Sequence, residues 1–295
     1  MVAQGMDARV TGHGTTPVTL DEARAWWGAT DLVGAGMAAD AARRTRHGDR
    51  VTYVRVAEVA VDRARDAAWA DAAGEIRLVG APPARVDAAA AVRAVVARAG
   101  GTPVTAFALH ELEQATGGGA ALVDYVRALA DAGLAGLAEV RLDALGDAGR
   151  AIDALTAAAV PAMRFTLGRL PADVPARLHD VRLLQEATGL VHVFSPLPRV
   201  IDPSAPTTGY QDVKAVALAR LVLDNVSSIQ VDWARYGPKL AQVALLFGAD
   251  DIDGVSPADD VAEGRRRAPR EEIRRNVEAA GLRAVERDAR FAVRA

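Results

Sequence analysis

The 295-residue sequence contains no cysteine and few aromatic residues, which make up 4% of the chain. Without cysteine, the chain cannot form a disulfide, a thiolate zinc site or an iron–sulfur cluster bound through cysteine. A core with few aromatic side chains favours helices packed on a sheet of valine, isoleucine and leucine over a sandwich of aromatic-rich hairpins. The composition therefore excludes thiolate chemistry and favours an α/β fold.

A strong net charge and long hydrophobic runs are also absent from the sequence. The 35 Lys and Arg residues and 38 Asp and Glu residues give a net charge of −3, so electrostatics provide no reason to expect nucleic acid or an anionic membrane as a partner. No apolar run reaches the length of about 18 residues that a membrane span requires. The first residues lack the basic stretch and hydrophobic segment of a secretory signal, and we therefore expect a cytoplasmic protein.

The sequence is organised as alternating β-type and helical runs behind a short leader. Residues 1–20 are predicted to be a flexible leader and residues 21–295 a single domain that starts with a helix reaching about His47. The predicted strands are Val51–Val61, Glu75–Gly80, Pro103–Ala108, Leu137–Leu142, Val160–Phe165, Leu190–Phe194, Ser228–Trp233 and Ala249–Gly254. The predicted helices are Asp62–Ala72, Val86–Ala99, Ala120–Ala132, Asp147–Ala158, Asp173–Thr188, Tyr210–Asn225, Pro238–Phe247 and Arg270–Ala280.

Eight strands with helical crossovers predict an α/β fold of the (β/α)8 TIM-barrel type. An open, doubly wound sheet is the structural alternative, but no G-x-G-x-x-G follows the first strand. The sequence also lacks a P-loop, a G-x-S-x-G elbow and an H-E-x-x-H motif. Its five histidines are scattered, with no two at a spacing typical of metal ligands, and we therefore predict no metal site.

Several strings in the last third of the chain carry a family resemblance. They are T-T-G-Y-Q-D-V-K at Thr207–Lys214, G-P-K-L-A-Q at Gly237–Gln242 and F-G-A-D-D-I-D-G at Phe247–Gly254. Together with R-R-T-R-H-G-D-R-V-T-Y-V at Arg43–Val54, they resemble the radical SAM enzymes of the futalosine pathway of menaquinone biosynthesis. That family includes aminofutalosine synthase and cyclic dehypoxanthine futalosine synthase. The resemblance implies a radical-SAM-like barrel.

The sequence departs from this family where the cofactors bind. In the family, a C-x3-C-x2-C loop after the first strand holds three irons of a [4Fe–4S] cluster, and the fourth iron binds SAM. The corresponding stretch here, Val54–Ala73, is shortened and contains no thiol, hydroxyl or imidazole group. The paired glycine that ends the family's second strand is reduced to Gly80, followed by Pro82 and Pro83. We therefore expect a divergent member with no [4Fe–4S] cluster and no SAM site.

Candidate site residues lie where the predicted strands end, because barrel sites form at the carboxyl ends of the strands. The catalytic candidates are Glu139, Glu111 and His110, and the resemblance places both glutamates where the family's glutamates line the substrate and SAM side. The candidates for substrate binding are Arg164, Arg169, Arg199, Asp232, Asp251 and Asp253. Structural roles compete with these assignments: Glu111 can cap the next turn, Asp251 and Asp253 can cap a loop, and Arg199 can pair with Asp202.

Three functions remain open at this point. The first is a cluster-free barrel that binds a small molecule or a paralogous synthase subunit without radical chemistry. The second is a cluster-independent lyase, hydrolase or transferase that uses acid–base chemistry on a futalosine-like nucleoside or carboxylate. The third is an interaction subunit whose barrel mouth is closed by apolar side chains. A polar mouth with converging Arg and Glu side chains favours either of the first two.

Overall fold

The computed structural model describes residues 17–200, 202–204, 206–259 and 269–294. Residues 1–16 of the predicted leader lie outside this description. The helices are α1 (Leu20–Gly28), α2 (Leu32–His47), α3 (Arg85–Val96), α4 (Leu109–Thr116), α5 (Gly119–Asp131), α6 (Ala148–Ala158), α7 (Val174–Thr188), α8 (Gly209–Val222), α9 (Trp233–Leu246) and α10 (Pro269–Ala279). The strands are β1 (Arg50–Ala60), β2 (Glu75–Val79), β3 (Val104–Ala108), β4 (Gly136–Arg141), β5 (Phe165–Thr166), β6 (Val193–Ser195), β7 (Ser228–Asp232), β8 (Asp251–Val255) and β9 (Arg283–Arg287).

Eight parallel strands close into a barrel, which confirms the predicted fold class. The order in the sheet is β2-β3-β4-β5-β6-β7-β8-β1, and a further pairing of β1 with β2 completes the ring. In the register of the β1–β2 pair, Val56 lies beside Glu75, and in the β2–β3 pair Ile76 lies beside Val104. The ninth strand lies beside β1. This arrangement brings the carboxyl ends of the eight strands to one end of the barrel.

The helices begin where the sequence supplies capping side chains. Thr19 caps α1 in a reciprocal capping box with Glu22, as its position before two acidic residues predicts. Asp147 and Asp173 cap α6 and α7, and Thr208 caps α8. None of the described helices is both long and apolar enough to cross a membrane.

Two predicted helices are wrong in extent. The stretch Asp62–Ala72 forms only a short 3-10 turn at Val61–Arg63 and then an irregular loop, because its alanine-rich composition lacks a stripe of large apolar residues to bury. The first helix is broken after Gly28, and Asp31 caps the new helix α2 by accepting a hydrogen bond from the Gly34 amide. The fifth strand is also later and shorter than the predicted Val160–Phe165.

The chain divides into two compact units. The first unit consists of the described parts of residues 1–51, 169–252 and 273–284, and the second of the described parts of 52–168, 253–272 and 285–295. In the first unit, α2 packs closely on α8 through Ala35, Ala39 and Ala217. In the second unit, β2 to β4 are almost wholly buried. Small alanine side chains thus allow the close packing that a composition poor in aromatic residues requires.

Candidate functional site

A network of four charged side chains lies buried within the second unit. Arg77 Nη2 is 2.9 Å from Asp253 Oδ1, and Arg77 Nε is 2.7 Å from Glu75 Oε1. Arg164 forms an ion pair with the other oxygen of Asp253, and the Thr105 hydroxyl donates to Glu75. Each of the four charged side chains is at least 94% buried. We call these four residues the interior network; its two positive and two negative charges balance.

The ion pairs of the interior network shift the pKa values of Asp253 and Arg77. Burial raises the pKa of Asp253, but the guanidinium groups of Arg164 and Arg77 outweigh burial and hold it well below its ordinary value of 3.8. Burial lowers the pKa of Arg77, and the carboxylates of Asp253 and Glu75 raise it well above its ordinary value. Asp253 therefore remains ionised in the folded protein, and the positive charges of Arg77 and Arg164 compensate its negative charge.

A second polar group lies where β3 and β4 end. Glu139 on β4 accepts a hydrogen bond from the Thr166 hydroxyl and lies 3.4 Å from Arg141 Nε. Asp143 accepts a 2.6 Å hydrogen bond from the Gly168 amide. A Cβ atom at Gly168 would lie 3.0 Å from Asp143 Oδ2, so glycine allows this close approach. Arg141 is more exposed than its partner Glu139, with 24% of its side chain accessible.

His110 is the least satisfied member of this second group. The residue is 6% exposed, and its Nδ1 atom is buried with no hydrogen-bond partner. Burial and the positive charge of Arg141 lower the pKa of His110, whereas Glu111, Glu139 and Asp143 act in the opposite direction. The imidazole is therefore neutral at pH 7 and can accept a proton or bind a donor. We call His110, Glu139, Arg141 and Asp143 the β3–β4 site.

Glu111 has a structural role. Its Oε2 atom accepts a 3.1 Å hydrogen bond from the Ala108 amide, at the start of α4. This contact is the capping alternative stated for Glu111 above. The sequence did not predict α4 itself, so the structure gives His110 and Glu111 a helical rather than a loop setting.

The remaining predicted site residues of the first unit also lie in ion pairs or hydrogen bonds. Arg199 pairs with Asp232, whose other oxygen accepts from the Arg235 amide at the start of α9. Gln230 donates to Asp251 at 2.7 Å and accepts from the Ser195 hydroxyl. Asp202, the partner expected for Arg199, lies 3.7 Å from the exposed Arg169. The structure thus places Arg199 with Asp232, and Arg169 at the surface.

The connection between β1 and β2 stands where the family resemblance implies a cluster-binding loop. Arg98 donates hydrogen bonds to the carbonyls of Ala64, Arg65 and Ala67, and its guanidinium lies 4.6 Å from the centre of the Trp69 ring. The connection offers no thiol or imidazole, and nowhere among the described residues do three His, Asp or Glu side chains form a group that could hold a metal. The residues present do not fit a [4Fe–4S] cluster held by three side-chain ligands.

Several polar residues of these groups were not predicted. Glu75 and Arg77 alternate with Ile76 and Leu78 on β2, and this period-two pattern could have indicated two polar side chains on the same face of the strand. Arg141 and Asp143 follow Glu139 at the same alternation. Asp212 belongs to the string Thr207–Lys214 that carries the family resemblance, which could have singled it out, and the structure buries it.

Comparisons with known proteins agree with this architecture and with the family resemblance. The model of the CofH/MqnC C-terminal region matches residues 195–295. The aminodeoxyfutalosine synthase of Streptomyces coelicolor is 33% identical over 139 residues, covering 39% of this chain and 36% of the relative. The 5-amino-6-(D-ribitylamino)uracil–L-tyrosine 4-hydroxyphenyl transferase of Methanosphaerula palustris is 34% identical over 102 residues, covering 32% of this chain and 28% of the relative. These matches therefore span about a third of the curated relatives.

Solved structures with low sequence identity share the fold. Methylornithine synthase (PylB) superposes with a TM-score of 0.67 at 12% identity, over 95% of this chain and 96% of its own. The [FeFe]-hydrogenase maturase HydG gives a TM-score of 0.65 at 13% identity, over 96% of this chain and 75% of its own. Residues 195–295 are thus similar to the CofH/MqnC C-terminal region, and the chain, which contains no cysteine, is similar over part of its length to aminodeoxyfutalosine synthase.

Proposed function

We propose that this protein is a cluster-free barrel of the futalosine-pathway family that binds a small molecule without carrying out radical SAM chemistry. The observation that carries the proposal is the β1–β2 connection. It has no thiol. Arg98 donates hydrogen bonds to three of its backbone carbonyl groups, and these bonds stabilise the conformation of the loop. The interior network supports the same conclusion, since Asp253 is satisfied by two arginines of its own chain.

The β3–β4 site is the place where we propose that the small molecule binds. It combines a carboxylate, a partly exposed guanidinium and a neutral imidazole at the carboxyl ends of two adjacent strands. These groups suit a polar ligand that carries both hydrogen-bond donors and acceptors. The charged groups at these strand ends favour a barrel that binds a ligand over an interaction subunit whose mouth is closed by alanine, leucine and valine side chains. The compounds in the relatives' names, aminodeoxyfutalosine and 5-amino-6-(D-ribitylamino)uracil, have this chemistry.

Calorimetric titration tests this proposal. We expect micromolar affinity for at least one of those two compounds or for cyclic dehypoxanthine futalosine, and no measurable affinity for SAM. Glu139→Gln should weaken the binding at least about tenfold, because a buried hydrogen-bonded charge contributes about 1.5–3 kcal/mol. Glu58→Gln, the same substitution at an exposed position of β1, is the control and should leave affinity unchanged. Micromolar binding of SAM, or no binding of any of the three named compounds, contradicts the proposal.

His110 favours a second candidate function, a cluster-independent acid–base enzyme. A buried, neutral imidazole whose Nδ1 atom has no partner can accept a proton from a bound substrate and return it to the product, while the carboxylate of Glu139 accepts hydrogen bonds from the substrate. If the protein turns over a pathway compound, Glu139→Gln should abolish turnover and leave the melting temperature within a few degrees. Retention of turnover by that variant removes Glu139 from the mechanism.

A further inference from the structure

Asp212 is a buried carboxylate in the first turn of α8 that the site described above does not include. The residue is 6% exposed, and its Oδ1 atom is buried without a hydrogen-bond partner. Within the part of the chain that the structure describes, Asp212 forms no ion pair. Burial raises its pKa, and the Thr207 side chain only partly offsets this effect. A buried carboxylate oxygen without a partner costs free energy, so its presence in a native protein calls for a physical reason.

The surroundings of Asp212 in the first unit are polar but do not supply its missing partner. The Tyr236 hydroxyl donates to the Pro198 carbonyl, and burial together with the negative charge of Asp212 raises the pKa of Tyr236. Arg199 pairs with Asp232. Tyr236, whose hydroxyl is already used as a donor, therefore lies near the carboxylate of Asp212 and is also influenced by the charges of Arg199 and Asp232.

The loops around Asp212 follow the carboxyl ends of β6 and β7, where barrels bind their ligands. Thr208 caps α8 through the Gln211 amide, which fixes the turn that carries Asp212. Gly237, at φ 73°, interrupts α9 directly after Tyr236. Two separately fixed elements therefore bring a carboxylate and a phenol to the same polar environment.

The geometry points to Asp212 as the anchoring carboxylate of a second binding site, which takes a small cationic N–H donor such as a protonated amine or an amidinium. Such a ligand supplies the donor that Oδ1 lacks and a positive charge that compensates the buried carboxylate. A neutral ligand would supply only the hydrogen bond. This site belongs to the first unit and is independent of the function proposed for the β3–β4 site.

Thermal unfolding of the full chain at pH 7 distinguishes this role from a structural one. A carboxylate kept for binding destabilises the ligand-free protein, so Asp212→Asn should raise the melting temperature by about 2 °C or more. Asp232→Asn is the matched control: it breaks an ion pair and a helix cap, and should lower the melting temperature. An unchanged or lower melting temperature for Asp212→Asn shows that the carboxylate does not destabilise the ligand-free protein and overturns the inference.

Small probes then test the ligand class in the same assay. Benzylamine and benzamidine are the cationic probes, and benzyl alcohol and benzamide are their uncharged counterparts. We expect at least one cation to raise the melting temperature of the wild-type protein more than its counterpart does, and this difference to vanish in Asp212→Asn. No difference between cations and counterparts, or an equal difference in the variant, overturns the assignment.

Discussion

The β1–β2 connection and the segment Thr207–Gly254 retain very different amounts of the family's pattern. The segment keeps the strings that carry the resemblance, and the structure uses them: Thr208 caps α8, and Asp253 lies at the centre of the interior network. The connection contains none of the family's cluster ligands. Arg98 instead donates a hydrogen bond to its backbone and packs on the Trp69 ring. The comparison teaches that the family's strings are present where the scaffold uses their side chains, whereas the family's pattern is missing where its relatives are expected to bind a cofactor.

The largest expected effect is a difference in how much a substitution in each of these two regions lowers the free energy of unfolding. Asp253→Asn should lower the free energy of unfolding by about 3–5 kcal/mol, because it leaves two buried arginines without their shared counter-charge. Asp66→Asn in the connection is the control; its ion pair with Arg63 is about two-thirds exposed, and the change should stay within about 0.5 kcal/mol. Urea denaturation measures both, and similar losses would show that the comparison is mistaken.

Acid should act on the same network. The pKa of Asp253 is depressed in the folded protein, so its contribution to stability is complete above the unfolded value near 3.8 and is lost as the pH falls below it. Urea denaturation between pH 7 and pH 3 should show a steep loss of stability below about pH 4. In Asp253→Asn, that part of the slope should be missing; an unchanged slope would assign the acid sensitivity to other groups.

An intermediate effect is expected where Arg98 binds the β1–β2 connection. Arg98→Ala removes the donors to three carbonyls and the contact with the Trp69 ring, and should cost about 1–2 kcal/mol. Amide hydrogen exchange should become faster across residues 64–69 and stay unchanged in α8. Arg63→Ala is the control for loss of an exposed arginine. Faster exchange throughout the barrel would mean that the connection is more than a local element.

The smallest expected effect concerns His110. Its pKa is lowered in the folded state, so the unfolded chain takes up a proton first as the pH falls through about 6.5, and stability declines there. The decline between pH 7 and pH 5.5 should amount to less than about 1 kcal/mol, and His110→Gln should reduce it. Because burial also lowers the pKa of His47, a part of the decline should persist in this variant.

The sequence was most informative where regular patterns repeat. Runs of buried valine, isoleucine and leucine predicted the barrel strands, and Thr19 with Glu22 predicted the start of α1. The helix α4 escaped prediction because it is short and directly follows β3. The strand β9 lies outside the repeated strand–helix pattern that guided the prediction.

The site was harder to predict because its pairings join residues that are distant in sequence. Asp253 was predicted at a strand end, but its pairing with Arg77 spans 176 residues, and no local pattern reports such a contact. Glu111 could equally be a cap or a catalytic acid until the Ala108 amide was seen to bind it. Burial of Asp212 is likewise a property of the packed helix and of no local sequence motif.

Anaerobic reconstitution of the purified protein with iron and sulfide tests the central claim most directly. A barrel whose cofactor loop has been replaced should remain colourless, bind no stoichiometric iron and show no absorption band from a cluster. A brown protein with about four irons per chain would contradict the account, because the cluster would then be held by ligands other than cysteine thiolates.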